Sequence, residues 1–192
     1  MKNLLIILSG PAGSGKTTLC ENVLKKHSNF ERVITVTTRS PRPNEVDGKD
    51  YIFMTNEAFE KALENGEFYE YAKVHGRYYG TLKSSIQNAL KGDKSLFLVI
   101  DVQGAKAWEE IAKTDEVIRQ ALLSIFIMPE SIEVLVERLV GRNSDDSAEI
   151  EKRMNTAKIE MTFAKDFNKI IDSKTREDDL ASIEAIIEEA QG

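Results

Sequence analysis

Eight consecutive residues, Gly10-Pro11-Ala12-Gly13-Ser14-Gly15-Lys16-Thr17, satisfy G-x-x-x-x-G-K-[ST] in full. Each fixed position has a chemical reason. Glycines adopt backbone conformations closed to other residues, so successive N–H groups can turn inward on phosphate oxygens. Lys16 brings a mobile positive charge to the β- and γ-phosphates of a nucleoside triphosphate, and the Thr17 hydroxyl is a ligand for Mg²⁺. The N-terminus of the following helix, with Thr17 and Thr18 in its first turn, adds free N–H donors and a favourable dipole. The loop needs a buried strand before it and an amphipathic helix after it, and the sequence supplies both.

A second set of charges sits in Thr37-Thr38-Arg39-Ser40-Pro41-Arg42-Pro43-Asn44-Glu45. Proline stiffens its own residue and pushes its predecessor towards extended conformations. A stiff arm of this kind holds the Arg39 and Arg42 guanidinium groups in fixed directions, which suits bidentate capture of a phosphate. A basic surface turn would read the same way. Downstream, four of the five tyrosines fall between residues 69 and 79, and the fifth is Tyr51. Such clustering serves either core packing or a phosphate cage completed by tyrosine hydroxyls.

These residues must be positioned by a frame, and the apolar runs outline one. Leu4–Leu8 reads as a buried parallel strand; it faintly imitates a signal peptide, but it is short and no A-x-A-like site follows. A helix is predicted from about Gly15 to Lys26, with Leu19, Val23 and Leu24 at helical spacing. A short strand is predicted around Arg32–Val36, then continuous apolar strands over Ser95–Ile100 and Leu122–Ile127, and a weaker one at Lys169–Ile171. Helices fit Val102–Ala112, Ile132–Leu139 and Leu180–Ala190. This alternation predicts an α/β fold with a parallel sheet between two helical layers.

Composition narrows the function classes. With 192 residues the chain can bury a core as one domain, and 41% hydrophobic against 30% charged residues exclude a disordered or low-complexity chain. No apolar run reaches membrane-spanning length, so no membrane association is expected. One cysteine, Cys20, rules out an intramolecular disulfide framework, and two distant histidines, His27 and His75, argue against a histidine metal site. A net charge of −6 makes nucleic acid a poor partner, while a few converging basic residues still suffice for a small anion. The cytoplasm is the expected compartment. Monomer and homodimer both stay open.

Taken in order, the motifs resemble those of guanylate kinases. The resemblance is carried by the phosphate loop, Thr37–Arg42, Glu45-Val46-Asp47-Gly48-Lys49-Asp50-Tyr51-Ile52-Phe53, Gly66–Glu70, Val74–Thr81, Ile100-Asp101-Val102-Gln103-Gly104 and Arg138-Leu139-Val140-Gly141-Arg142. It implies a P-loop core (about 1–34, 82–128 and 166–192), a small β-rich GMP-binding insertion (about 35–81) and a helical lid (about 129–165). The implied reaction is ATP + GMP = ADP + GDP with Mg²⁺. Residues Gly10 to Thr18 would hold ATP. Arg39, Arg42, Tyr51 and Tyr79 would hold the GMP phosphate, and Thr35, Glu70, Thr81 and Asp101 would line the guanine side. Lys16, Arg39 and the lid arginines Arg138, Arg142 and Arg153 would stabilise the transferring phosphoryl. Glu70 suits its role chemically, since an ionised carboxylate accepts from both guanine N1–H and the 2-amino group, and adenine lacks that donor pair.

Departures from the resemblance are Val99 where an Asp is usual, Asn44 for a Gly, Ala12 for a Ser, and a more charged segment at Ile170–Arg176 from which no adenine contact is inferred. A phosphopeptide-binding module on the same scaffold would lack the working loop that Lys16 and Thr17 complete. A kinase for another small phosphate, such as a ribose bisphosphate, would not need Glu70. Lys16→Met keeps the stem and removes the charge; turnover should fall roughly 10²–10⁴-fold with the fold retained, measured by coupled ADP release and circular dichroism. Near-normal turnover would show that the loop is not catalytic.

Overall fold

The computed structural model of the chain describes residues 2–74, 76–90, 94–140 and 147–192, without the side chains of 88, 90, 138–140 and 147–150. In chain order, β1 (Leu5–Ser9) leads to α1 (Lys16–Lys26), β2 (Phe30–Arg32), β3 (Val36–Thr37), β4 (Ile52–Phe53) and α2 (Asn56–Glu64). Then come β5 (Phe68–Val74), β6 (Arg77–Leu82), α3 (Lys83–Leu90), β7 (Ser95–Val99), α4 (Val102–Thr114) and α5 (Glu116–Ala121). The chain ends with β8 (Leu122–Met128), α6 (Ile132–Val140), α7 (Ser147–Thr162), a 3₁₀ turn at Ala164–Asp166, β9 (Lys169–Asp172) and α8 (Arg176–Gln191).

Two sheets result. The larger has the order β2-β7-β1-β8-β9 with every pairing parallel. Its central strand is buried throughout, and apolar up to Ser9, because it is covered on both faces. Leu4, Ile6 and Leu8 pack with Leu19 and Val23 of α1 and Ile183 and Ile187 of α8. Leu5 and Ile7 point the other way, into Ile86 of α3, Ala105 and Trp108 of α4 and Ile118 of α5. The period-two alternation of a strand thus feeds two separate cores.

The smaller sheet has the order β4-β3-β6-β5, antiparallel except for β3 beside β4. Its own core is Val36, Phe59, Ala62 and Phe68, with Phe59 stacked on Phe68 at 4.4 Å and on Tyr78 at 5.0 Å between ring centroids. The strand expected at Arg32–Val36 is not one element. β2 ends at Arg32, the Val33 N–H still bonds to the Phe97 carbonyl, and from Val36 the chain pairs with Gly80 in the other sheet. The apolar run continues across the gap, so composition alone does not show the change of partner.

Functional loops gather at the carboxyl ends of the parallel strands, where open α/β sheets place their ligands. At the end of β1 the chain runs close under β8. Gly10 has φ 140°, and a Cβ there would lie 2.6 Å from the Ile127 carbonyl oxygen. Gly15, at φ 94°, is the left-handed residue that starts α1. Gly10→Ala should therefore cost about 1–3 kcal/mol from the backbone conformation alone, with the clash in addition. A thermal melt should show the variant clearly less stable, whereas Gly48→Ala, whose Cβ would meet nothing within 4 Å, should show only the conformational cost.

Candidate active site

A cavity of about 340 Å³ opens between the two sheets and α7. It takes Gly10, Ala12, Lys16 and Thr17 from the loop, Arg42 from the proline arm, and Tyr51, Glu70 and Tyr79 from the small sheet and its approach. Thr35, Asp101 and Arg153 complete the set that the sequence pointed to. Pro11, Gly13, Ser14, Gly15 and Thr18 do not line it, and neither do Arg39 and Thr81.

Loop geometry is fixed internally. The Ser14 N–H bonds to the Pro11 carbonyl at 3.1 Å, closing the turn. Lys16 Nζ donates to the carbonyls of Gly10 (2.7 Å) and Pro11 (2.9 Å), which holds the ammonium across the loop's mouth. α1 begins here, with Gly15 as the left-handed residue before it and its first two residues, Lys16 and Thr17, in the cavity lining.

The arm behaves differently from its expected symmetry. Arg42 lines the cavity; Arg39 does not, but it lies beside Tyr51 and Tyr79, which do. One terminal nitrogen of Arg39 donates to both Glu45 oxygens, at 2.8 and 2.9 Å, and the other donates to the Ser40 carbonyl at 2.7 Å. Its guanidinium lies 5.5 Å from the Tyr51 ring centre and 5.9 Å from that of Phe53. Burial alone would lower the Arg39 pKa, but hydrogen bonding to Glu45 and Tyr79 outweighs it and raises the pKa. Burial likewise opposes Glu45, yet Arg39 and the Arg42 N–H hold its carboxyl below the usual range. The tyrosines divide by position. Tyr51 and Tyr79 meet edge to face at the cavity wall, Tyr78 lies in the small core, Tyr69 packs on Trp108, and Tyr71 is exposed.

At the opposite end lies Glu70, a buried carboxyl in β5. Its register partner across the antiparallel pair is Thr81, whose hydroxyl donates to Oε1 at 2.7 Å. Burial drives the Glu70 pKa up to about 7; Thr81 opposes this, Asp101 adds to it, and the Trp108 indole opposes it. Asp101 is positioned by a second task, as the N-cap of α4 that accepts from the Gly104 N–H at 2.8 Å. Val99, the departure noted in the sequence, is part of the wall beside it.

α7 supplies the remaining side. Arg153, Thr156 and Glu160 follow one another at helical spacing and all line the cavity. The role expected of Arg142 falls outside the described residues, as does the side chain of Arg138; His75 lies outside them too. Glu160 was not singled out from the sequence, although its position seven residues after Arg153 puts it on the same helix face. Burial raises its pKa to about 7, with Lys16 opposing and Asp101 reinforcing the rise. Among the described residues no group of three or more His, Cys, Asp or Glu could hold a metal ion, and no helix is long and apolar enough to cross a membrane.

A parallel sheet with a lysine-bearing phosphate loop at the end of its central strand, and a basic, tyrosine-lined wall opposite, is the arrangement of a P-loop kinase. The shikimate kinase of Acinetobacter baumannii, solved with shikimate, shares the fold at a TM-score of 0.52 over 98% of this chain and 95% of its own, with 14% identity. Similarity is much greater to the crystal structure of guanylate kinase from Anaplasma phagocytophilum, at a TM-score of 0.80 and 30% identity over 98% of this chain and 86% of that one. The guanylate kinase of Clostridioides difficile (strain 630) is 39% identical over 186 residues, 97% of this chain and 87% of its own length. The guanylate kinase family model matches residues 2–190. The chain belongs to the guanylate kinase family and is an enzyme of that type.

The raised pKa of Glu70 has a consequence for stability. Its value rises from 4.5 to about 7 on folding, so the fold favours the protonated form. Its contribution is full below 4.5 and is lost as pH rises through 7, by roughly 3 kcal/mol in the ligand-free protein. Glu70→Gln removes that loss while leaving an oxygen for Thr81. Melting curves without nucleotide should show the variant more stable than the parent at pH 8 and no more stable at pH 4.5; an equal difference at both would refute the assignment.

Proposed function

We propose that this cavity is where the chain transfers the γ-phosphoryl of ATP to GMP, giving ADP and GDP, a step of purine nucleotide metabolism. The observation that carries the assignment is the shared lining: Lys16 and Thr17 of the triphosphate loop face the same space as Arg42, Tyr51, Tyr79 and the buried Glu70. The loop, Gly10 to Thr18, cradles ATP through its N–H groups, and Lys16 follows the migrating phosphoryl. Arg39, Arg42, Tyr51 and Tyr79 hold the GMP phosphate. Glu70, supported by Thr81, accepts from guanine N1–H and the 2-amino group, while Thr35 and Asp101 close the base's surroundings.

Residues about 129–165 act as a lid that brings Arg138, Arg142 and Arg153 over the reacting phosphates. Residues about 35–81 form the GMP-binding insertion, and the rest forms the core. Phosphoryl transfer asks little covalent chemistry of a protein; positioning and charge neutralisation do most of the work, which suits arginines delivered by closure.

Mg²⁺ fits this site. The Thr17 hydroxyl faces the cavity, and Mg²⁺ commonly takes only one or two protein ligands alongside phosphate oxygens and water. When bound it supplies neutralisation of charge between the β- and γ-phosphates. Both nucleotides are multiply charged and do not cross membranes unaided, so the cytoplasm is the compartment we assign.

Base choice tests the assignment most directly. Glu70→Gln replaces one acceptor by an NH₂ donor facing guanine's donors. kcat/KM for GMP should fall by roughly 10²–10³-fold, the combined scale of a lost charge-assisted bond and an unpaired buried group. AMP, which presents an N1 acceptor there, should lose nothing. Coupled ADP release with GMP, AMP, CMP and UMP as acceptors measures both; an unchanged GMP-to-AMP ratio would remove Glu70 from base recognition.

A further inference from the structure

The two arginines assigned to the GMP phosphate are joined by a residue that faces neither substrate. Glu45 takes the Arg39 guanidinium on both its carboxylate oxygens and, through Oε2, also accepts from the Arg42 backbone N–H at 2.8 Å. Its own N–H returns a bond to the Arg42 carbonyl at 3.0 Å. The stretch Arg42-Pro43-Asn44-Glu45 is therefore a turn closed twice by one residue, once through the main chain and once through the side chain. Pro43 sets the turn, and Glu45 determines where its start points.

The geometry has a direct reading. With side chains only 17% and 16% exposed, the Arg39–Glu45 pair is shielded enough for its direction to matter. Two of Arg39's three nitrogens are occupied by Glu45 and the Ser40 carbonyl, so the group cannot swing freely between rotamers. Its stem and plane lie against Tyr51 and Phe53. Arg42, by contrast, reaches the cavity from a backbone that Glu45 pins at both polar groups. Their mutual hydrogen bonding outweighs burial and keeps Arg39 and Glu45 charged, so the lock persists at neutral pH.

We infer that Glu45 is the positioning residue of the phosphate clamp, one carboxylate setting both the Arg39 guanidinium and the backbone of Arg42 for the acceptor's phosphate. The inference rests on assigning Arg39 and Arg42 to the GMP phosphate. It makes Glu45 a determinant of phosphate affinity that touches no substrate and takes no part in reading the base. A carboxylate beside a phosphate site is ordinarily a source of repulsion; here it is outweighed by holding two cations in place in advance.

Titration calorimetry with GMP and with guanosine separates the phosphate from the rest of the ligand. Glu45→Gln keeps the volume and one acceptor oxygen. GMP affinity should fall roughly 10- to 100-fold, the scale of hydrogen bonds to a charged group, while guanosine affinity stays unchanged. In steady state the KM for GMP should rise with the KM for ATP unaltered. Glu45→Asp, which keeps the charge, should recover part of the GMP affinity. Equal loss for GMP and guanosine would mean that Glu45 merely supports the fold, and no loss for either would also overturn the inference. Arg39→Lys provides the separate check on its premise. If that variant loses GMP affinity and Glu45→Gln does not, the inference alone fails; if Arg39→Lys leaves GMP and guanosine unaltered too, the assignment of the arm fails with it.

Discussion

At the carboxyl end of β1 the chain passes so near β8 that a Cβ on Gly10 would lie 2.6 Å from the Ile127 carbonyl oxygen, and the placement of Lys16 depends on that contact. The carbonyls of Gly10 and Pro11 hold Lys16, so any displacement of the loop from the sheet moves the ammonium with it. The strand itself cannot yield, because each of its faces is packed into a different core. Close packing on both sides converts a Gly-rich turn into a rigid fixture. The same sheet end positions Asp101 after β7, which is why a loop and a carboxylate ninety residues apart face one cavity.

Charge within that cavity is divided by position. Glu45, not itself part of the lining, is paired with Arg39 and its carboxyl is held low. Glu70 and Glu160 face ligand space and are both pushed up to about 7, chiefly by burial. A carboxyl of the first kind is structural under all physiological conditions. One of the second kind becomes ionised when something with donors arrives, so ligand binding near neutral pH is coupled to proton release. Glu160 shares this behaviour with Glu70 while sitting on a different element, which ties the charge state of α7 to what occupies the cavity.

Much of this was legible in advance where one residue type answers to one physical demand. Short continuous Leu, Ile, Val and Phe runs identified β1, β7 and β8, since a strand covered on both faces has that composition and their length is too short for a helix. The phosphate loop was readable from its spacing together with the apolar strand before it and the helix after it. Glu70, Thr35 and Thr81 were placed by resemblance; nothing in their local spacing marks a carboxyl in β5 opposite a threonine in β6. Other features depend on tertiary partners that sequence does not carry. Tyrosine type does not say that Tyr78 stacks on Phe59 while Tyr79, its neighbour, turns to the cavity. The alternation of a strand does, but only once the strand is known. The helix α2, which carries Phe59 under the small sheet, was hidden within a segment read as β-rich. Nor did two prolines and two arginines reveal that Arg39 answers to Glu45 before any ligand.

The change of sheet between Arg32 and Val36 has a mechanical side. The small sheet is joined to the large one through residues 33–35 at one end, and at the other β6 runs straight into α3 at Leu82–Lys83. Thr35 sits in the first connection, and Thr81, opposite Glu70, sits one residue before the second. The arm that carries Arg39 and Arg42 lies beyond the far end of β3. Displacement in a rotation grows with distance from its axis. Any turning of the small sheet about these two tethers would therefore move the Arg39–Arg42 arm farther than Thr35 and Thr81, which lie beside them. The residues proposed to read the base thus lie beside the tethers, and those proposed to hold the phosphate lie farther out.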